Sequence, residues 1–421
     1  KLPATNTPLG EMASSSPMST RKVTGVGTEE MVNGHPGKAH GVANGNPKTV
    51  AHMSTSSSSS REVDEMSAPS HVAASARRTA DPTDSSCAAA RASSAAAARW
   101  ATALAHLFAQ HPSAIEYPVN WWIRRASSLE HLSKTGHNPH YLRGVSLPLD
   151  RLEMSNDIQQ VVDRSDILVL AVPSAYLDGA LRGNGVKRLE TKVVFNAIKG
   201  LVTDEHHIPA RYMHKVLGVP YDSIGLIAGP SHSEEVAQEN WTYLTMACSN
   251  TVLAQHLADR LATPWLRTHT TDDVFGIELA AVLKNVYAVA AGIAHGLGLG
   301  DNFTAVLMSN ALMETDRFLQ AVTSKKREAS GSVYLGDLLA TAYSPHSRNR
   351  RLGTMVGKGY RVSVALMEMA MIAEGYPAAL GIHHIQQKFN VSMPVAGCVY
   401  RILHEGAAPA GEMRLLADHI H

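Results

Sequence analysis

The sequence predicts an α/β fold: a doubly wound parallel-sheet domain, then an all-α domain, behind a disordered N-terminal tail. Three observations carry that reading. Short apolar runs recur between residues 119 and 231 with helix-patterned segments between them, which is how strands covered on both faces of a parallel sheet read. From Asp272 onward the strands stop and helical periodicity takes over. Residues 1–94 are rich in Ser, Ala, Thr, Gly and Pro, include the tract Ser56 to Ser60, and show neither period. The expected organisation is therefore a tail over 1–94, a sheet domain over 95–271 and a helical domain over 272–421.

Within the tail, Met66 to Arg99 is rich in Ala, Ser and Arg and poor in acids, a composition shared by organellar transit segments and low-complexity tails. The first residue is Lys1 rather than Met, so the true start is expected to lie outside the sequence. Order is expected from near Arg99, with a helix WATALAHLFAQH and then a strand VNWWIRR, Val119 to Arg125. Further strands are expected at Ser165 to Ser174, Lys192 to Leu201 and Ser223 to Ser231. Ligands of doubly wound sheets bind beyond the carboxyl ends of the strands, so Pro173, Ser174, Lys199, Gly200, Gly229, Pro230 and Ser231 should rim one crevice.

The stretch Val274 to Asn302 reads as one long helix with a lysine on its apolar stripe. Steps of three, four and seven residues from Lys284 reach Ile277, Ala280, Ala281, Tyr287, Ala288 and Ala291. A buried ammonium needs a carboxylate partner, a lowered pKa, or both, and those are the properties of a proton-transferring lysine. The competing reading is a lysine that snorkels from the edge of a helix bundle.

Composition narrows the function classes. A formal net charge of +1 over 421 residues gives no argument for a nucleic-acid or membrane-surface partner. Cys87, Cys248 and Cys398 lie far apart without metal-ligand spacing, which suits a reducing compartment. Among 22 histidines, the adjacent pairs His206/His207 and His383/His384 point in different directions and make poor ligand sets. Glu278 and Lys284 interrupt the longest apolar run before it reaches the length of about eighteen residues that a membrane span requires.

Several strings now fall into one order: ATALAHLFAQH, HNPHYLRGVSLP, DILVLAVPS, IKGL, IAGPSHSEEVA, GIELAAVLKNVYAVAAGIAHGLGLGDN, LGD, SPHSRNRR and AEG. By these strings the chain resembles the NAD-dependent glycerol-3-phosphate dehydrogenases over about residues 96–408. The resemblance implies a Rossmann-like first domain, an NAD cofactor, and the interconversion of dihydroxyacetone phosphate and sn-glycerol 3-phosphate. It assigns Lys284 as proton donor and acceptor, Asp337 as the acid beside it, and Lys199 as a second lysine on the substrate. Arg348 and Asn349 would hold the phosphate, with Ser347 and the backbone from Gly229 to Ser231 completing the cradle. Trp100, Pro173, Lys199, Ser233, Arg348, Ile372 and Glu374 match cofactor positions. Arg124 and Arg125 end the strand Val119 to Arg125, which by the resemblance takes the place of the second strand, where NAD-specific sheets place an acid, so NADP is expected as well. A homodimer in the cytoplasm is expected, with plastid or mitochondrion the alternative if the tail is a transit segment. Taken singly, Asp337 and Ser347 also read as helix caps, Arg348 as a surface charge and Glu374 as part of a solvated face.

One departure stands at the cofactor end. Aligning WATALA on the resemblance places the glycine fingerprint at Ala96, Ala98 and Ala101. An alanine methyl at the second position intrudes on the pyrophosphate, and one at the first costs on the order of 1 kcal/mol or more if the backbone must turn left-handed. The strand that should precede the turn reads RASSA, Arg91 to Ala95. Either a wrong 5′ segment is joined at about Trp100, or the protein has lost its cofactor turn and binds triose phosphate without catalysis. The abruptness of the boundary favours the junction.

Overall fold

Parallel pairing of short strands organises the first part of the described chain, and helix packing the second. The structure, a computed structural model, describes residues 99–202, 206–369 and 372–421, all within one unit. The expected tail, the RASSA segment, Ala96 and Ala98 lie outside the described residues.

Residues 99–110 form helix α1, whose buried Trp100, Ala103, Leu104 and Leu107 follow the stripe of a helix lying on a sheet. Strand β1 (Val119–Trp122) leads to α2 (Ala126–Thr135), β2 (Leu152–Ser155) and α3 (Ile158–Asp163), which Asp157 caps by accepting the N–H groups of Gln159 and Gln160. There follow β3 (Ile167–Leu170), α4 (Leu177–Leu181), β4 (Val193–Asn196), α5 (Pro209–Leu217), β5 (Ile224–Ala228), α6 (Ser233–Ala237), β6 (Thr242–Cys248), α7 (Thr251–Leu261) and β7 (Leu266–Thr271). The four expected strands are all present but shorter, because their polar carboxyl-end residues leave the sheet for loops. Strands β2, β6 and β7 were not expected. β7, LRTHTT, alternates and is half exposed along the end of the sheet, so it lacks the continuous apolar signature.

The main sheet runs β3-β4-β5-β6-β7. Pairing is parallel except between β5 and β6, which are antiparallel, so the expectation of a wholly parallel sheet is corrected. The cause is the connection. A parallel return needs a crossover as long as the strand, and the five-residue helix α6 rises only about 7.5 Å. Helices cover both faces: α4 and α5 bury Leu177, Leu181, Tyr212 and Met213 on one, and α1 and α7 bury Leu104, Leu107, Leu257 and Leu261 on the other. β1 and β2 form a separate parallel pair. Among the described residues β1 does not pair with β3, and a cavity of about 710 Å³ lies there, lined by Val119, Trp121, Ile167, Val169, Leu104 and Phe108 among others.

From Val274 onward the regular elements among the described residues are helices: α8 (Val274–Leu297), α9 (Gly300–Val322), α10 (Asp337–Tyr343), α11 (Arg348–Gly357), α12 (Val362–Glu368), α13 (Gly375–Phe389), α14 (Pro394–His404) and α15 (Pro409–Ala417). The single helix expected over Val274 to Asn302 is two, because Gly298 adopts a left-handed conformation and its N–H closes the last turn of α8 on Ala294 and His295. α8 is buried on every side from Gly276 to Ala294. By length and composition it is apolar enough to cross a membrane, despite Glu278 and Lys284, but 94% of its most apolar window is buried inside the protein. It is the core helix around which the helical domain packs.

Candidate active site

At the carboxyl ends of β3, β4 and β5 the sheet faces α8, α10 and α11 across a cleft of about 470 Å³. Its lining holds Trp100, Pro173, Ser174, Ile198, Lys199, Ser231, His232, Ser233, Lys284, Asn285, Asp337, Thr341, Ser347, Arg348, Asn349 and Glu374. The cavity between β1 and β3 is larger, yet its walls are mostly aliphatic and aromatic.

Lys284 is 4% exposed, and its Nζ forms an ion pair with Asp337, whose carboxylate is equally buried. Lys199 Nζ stands 3.8 Å from the other oxygen of Asp337 and donates to the Gly229 carbonyl at 3.4 Å. Two ammonium groups therefore share one carboxylate. Burial pulls the Lys284 pKa down to about 7, with Asp337 opposing the fall and Lys199 adding to it. Such an amine exchanges a proton at neutral pH, and the snorkelling alternative is excluded by its depth.

The Gly229 carbonyl reaches Lys199 because the turn after β5 is glycine. Its φ is 117°, and a Cβ there would come within 2.6 Å of the Tyr243 carbonyl oxygen. Ser231 Oγ donates to the same carbonyl at 3.1 Å. On the opposite wall Ser347 caps α11 by accepting the N–H of Arg350 at 3.3 Å, so its cap reading and its place in the cleft both hold. Arg348 is not a surface charge: it donates to the Ile372 carbonyl at 2.9 Å, which is how Ile372 contributes. Nor is Glu374 a solvated face. Its carboxylate accepts the Ser174 hydroxyl at 3.0 and 3.2 Å, and burial raises its pKa against the pull of Ser174 and Arg348.

Asn285 is the residue that sequence reasoning missed. Its amide donates to the carbonyls of Lys199 at 2.7 Å and Ala281 at 3.1 Å and accepts from Asn349 at 2.8 Å, while Asn349 accepts the N–H of Gly375 at 2.9 Å. This chain fixes the Lys199 turn, α8, α11 and the start of α13 to one another. A signal existed: an amide directly after Lys284 on an all-apolar helix must find buried partners. His232 was likewise passed over. Arg124 and Arg125 are not brought to the cleft; both are exposed just beyond β1, and Arg125 begins α2.

The nicotinamide cofactor can be tested against the described residues. Trp100 Nε1 and His232 Nε2 are buried polar atoms without a hydrogen-bond partner, both on the cleft wall. Burial lowers the His232 pKa against Glu235, and Lys199 and Lys284 lower it further, so the ring is neutral. With apolar Ala171, Val172 and Pro173 beside them, these groups fit an uncharged amide-bearing ring. Of the fingerprint positions only Ala101 is described, and it lines the cavity between β1 and β3.

A doubly wound sheet whose strand ends face a buried lysine–carboxylate pair and a capped helix N-terminus suits an oxidoreductase. The comparisons with known proteins agree. Residues 96–254 match the profile of the NAD-dependent glycerol-3-phosphate dehydrogenase N-terminus and residues 273–414 that of its C-terminus. The chain is 35% identical over 315 residues, 74% of its length and 90% of the relative, to a protein of Salinibacter ruber named glycerol-3-phosphate dehydrogenase (NAD(P)+) 2. It is 33% identical over 310 residues, 73% of its length and 92% of the relative, to a glycerol-3-phosphate dehydrogenase (NAD(P)+) of Prosthecochloris aestuarii. The crystal structure of the Coxiella burnetii glycerol-3-phosphate dehydrogenase matches with TM-score 0.67 and 28% identity, over 76% of this chain and 96% of that one. The chain belongs to the NAD-dependent glycerol-3-phosphate dehydrogenase family.

Proposed function

We propose that the cleft interconverts dihydroxyacetone phosphate and sn-glycerol 3-phosphate with NAD or NADP, and that the buried Lys284–Asp337 pair beside Lys199 is its proton-transfer centre. That pair is the observation that carries the reading. A nicotinamide held against Trp100, Pro173 and His232 would supply the hydride chemistry for the substrate's central carbon. Lys284 Nζ gives a proton to the ketone oxygen during reduction and takes it back during oxidation. Asp337 holds the ammonium in place, and Lys199 adds positive charge where the alkoxide develops. The phosphate seats at the N-terminus of α11, where the helix's first N–H groups and the Arg348 guanidinium favour an anion. Asn349 has one amide hydrogen left after bonding Asn285, and that hydrogen completes the cradle.

The test is NADH consumption by the purified chain on addition of dihydroxyacetone phosphate, with NADPH in parallel. Lys284→Ala should lower turnover about a thousandfold or more. The alanines at the glycine fingerprint favour a second reading, a triose-phosphate-binding protein without turnover. Phosphate-ester binding by a chain that oxidises no NADH would select it. The NAD(P)+ names of the relatives support use of both cofactors, and a strong preference for NADH in the Michaelis constants would remove that part. The reading extends to a cytoplasmic homodimer paired through the helical domain, with light scattering and cell fractionation as the checks.

A further inference from the structure

Outside the cleft, a densely bonded buried cluster is centred on Asp273, at the start of α8. Its buried carboxylate accepts Arg327 Nε at 2.5 Å, Arg327 Nη2 at 2.8 Å, the Gly276 N–H at 3.2 Å and the Tyr334 hydroxyl. The Arg327 and Asp273 side chains are 4% and 6% exposed, and Arg327 also donates to the Lys325 carbonyl at 2.9 Å. None of the three side chains lines the cleft. Burying such an ion pair is a weak source of stability, because desolvation of both charges offsets their attraction. Its effect is better sought in geometry.

Tyr334 lies in the middle of Ser332–Gly336, a π-helical turn that runs straight into Asp337 at the head of α10. Turns of this kind are rare and often lie at functional sites. The Tyr334 hydroxyl ties this one to Asp273, and Asp273 begins the helix that carries Lys284. Both partners of the Lys284–Asp337 pair are thus referenced to α8, Lys284 directly and Asp337 through the clamp. We propose that Asp273, Arg327 and Tyr334 form a positioning clamp that holds the π-turn in register and so seats the Asp337 carboxylate on Lys284. The clamp rests on the reading of Lys284 as the proton-transfer group.

The charged and titratable groups facing Lys284 are Asp337 from α10, Lys199 from the turn after β4 and His232 from the turn before α6. Of these Asp337 is the one the π-turn moves. Loosening it weakens the interaction that favours the ammonium, so the Lys284 titration should shift to lower pH.

The experiment follows Lys284 itself in the full chain, without cofactor. Its reactivity toward a small amine-acylating reagent is measured against pH and read by peptide mass spectrometry. Asp337→Asn sets the size of the shift when the carboxylate charge is lost. Tyr334→Phe keeps the ring and the Arg327 pair but removes the tether. The proposal expects the Lys284 titration in Tyr334→Phe to move toward that of Asp337→Asn by about half a pH unit or more. In the active protein it expects kcat to fall about tenfold with KM little changed. Arg327→Lys, which keeps the charge, should shift less than Arg327→Met. An unchanged Lys284 titration in Tyr334→Phe and Arg327→Met overturns the proposal, even if both variants are less stable. Because the labelling needs no turnover, failure of the clamp is separable from failure of the enzymatic reading: a shifted titration without dehydrogenase activity would keep the clamp and sink only the latter.

Discussion

Lys284 shows how one residue's surroundings set its chemistry. An ammonium whose pKa burial has lowered to about 7 can give up its proton near neutral pH. Ketone reduction needs the protonated amine, so kcat/KM for reduction should fall as pH rises through about 7, while that for alcohol oxidation should rise over the same range. Parallel pH profiles for the two directions would sink the assignment. Glu278 on the same helix has another role. Its carboxylate accepts the Ala210 N–H at 3.0 and 3.1 Å and Asn196 at 2.8 Å, and burial raises its pKa from 4.5 to about 7 against those bonds. The folded value lies above the unfolded one, so this contribution to stability is complete below 4.5 and is lost as pH rises through about 7. Replacing it by a neutral isostere, Glu278→Gln, should remove a loss of about 2–3 kcal/mol between about pH 5 and about pH 8. Chemical denaturation at the two pH values checks it, and equal slopes for both proteins would refute the assignment.

Among the elements, α8 and α11 matter most, because one carries Lys284 and the other the proposed phosphate cradle. They touch backbone to backbone through glycines: a Cβ added at Gly353 would collide with the Val289 carbonyl and the Ile293 nitrogen. That closeness brings the N-terminus of α11 to the cleft. Gly353→Val should cost about 1–3 kcal/mol by overpacking, and should raise KM for the phosphorylated substrate more than it lowers thermal stability would suggest. A variant with native KM would show that the helix spacing does not set the cradle. The lysine stripe of α8 was legible from helical spacing alone. Its partner was not, because Asp337 is 53 positions farther along the chain and only packing of α10 against α8 joins them.

At the scale of the whole molecule, sheet and helical domain contribute opposite walls of one cleft, so a ligand bridging them should stabilise both. Glycerol 3-phosphate at about a hundredfold above its Kd should add about 2.7 kcal/mol to the unfolding free energy. Arg348→Ala should abolish the gain; its persistence in that variant would place the phosphate elsewhere. Among the described residues β1 does not pair with β3, and the cavity beside α1 lies between them.

Sequence alone determined the fold class, part of the rim of the cleft (Pro173, Ser174, Lys199 and Ser231, but not Gly200, Gly229 or Pro230), the place of Lys284 on an apolar stripe and, through ordered motifs, the family. These are local signals: apolar period, turn residues and short strings survive without knowledge of contacts. Only the tertiary structure decided that β6 runs antiparallel to β5, that Asn285 braces the site, that Asp337 is shared by two lysines and tethered through Tyr334 to Asp273, and that Arg124 and Arg125 stand outside. Each of those depends on which distant groups are desolvated together, and desolvation is a property of the packed chain, not of any stretch of it.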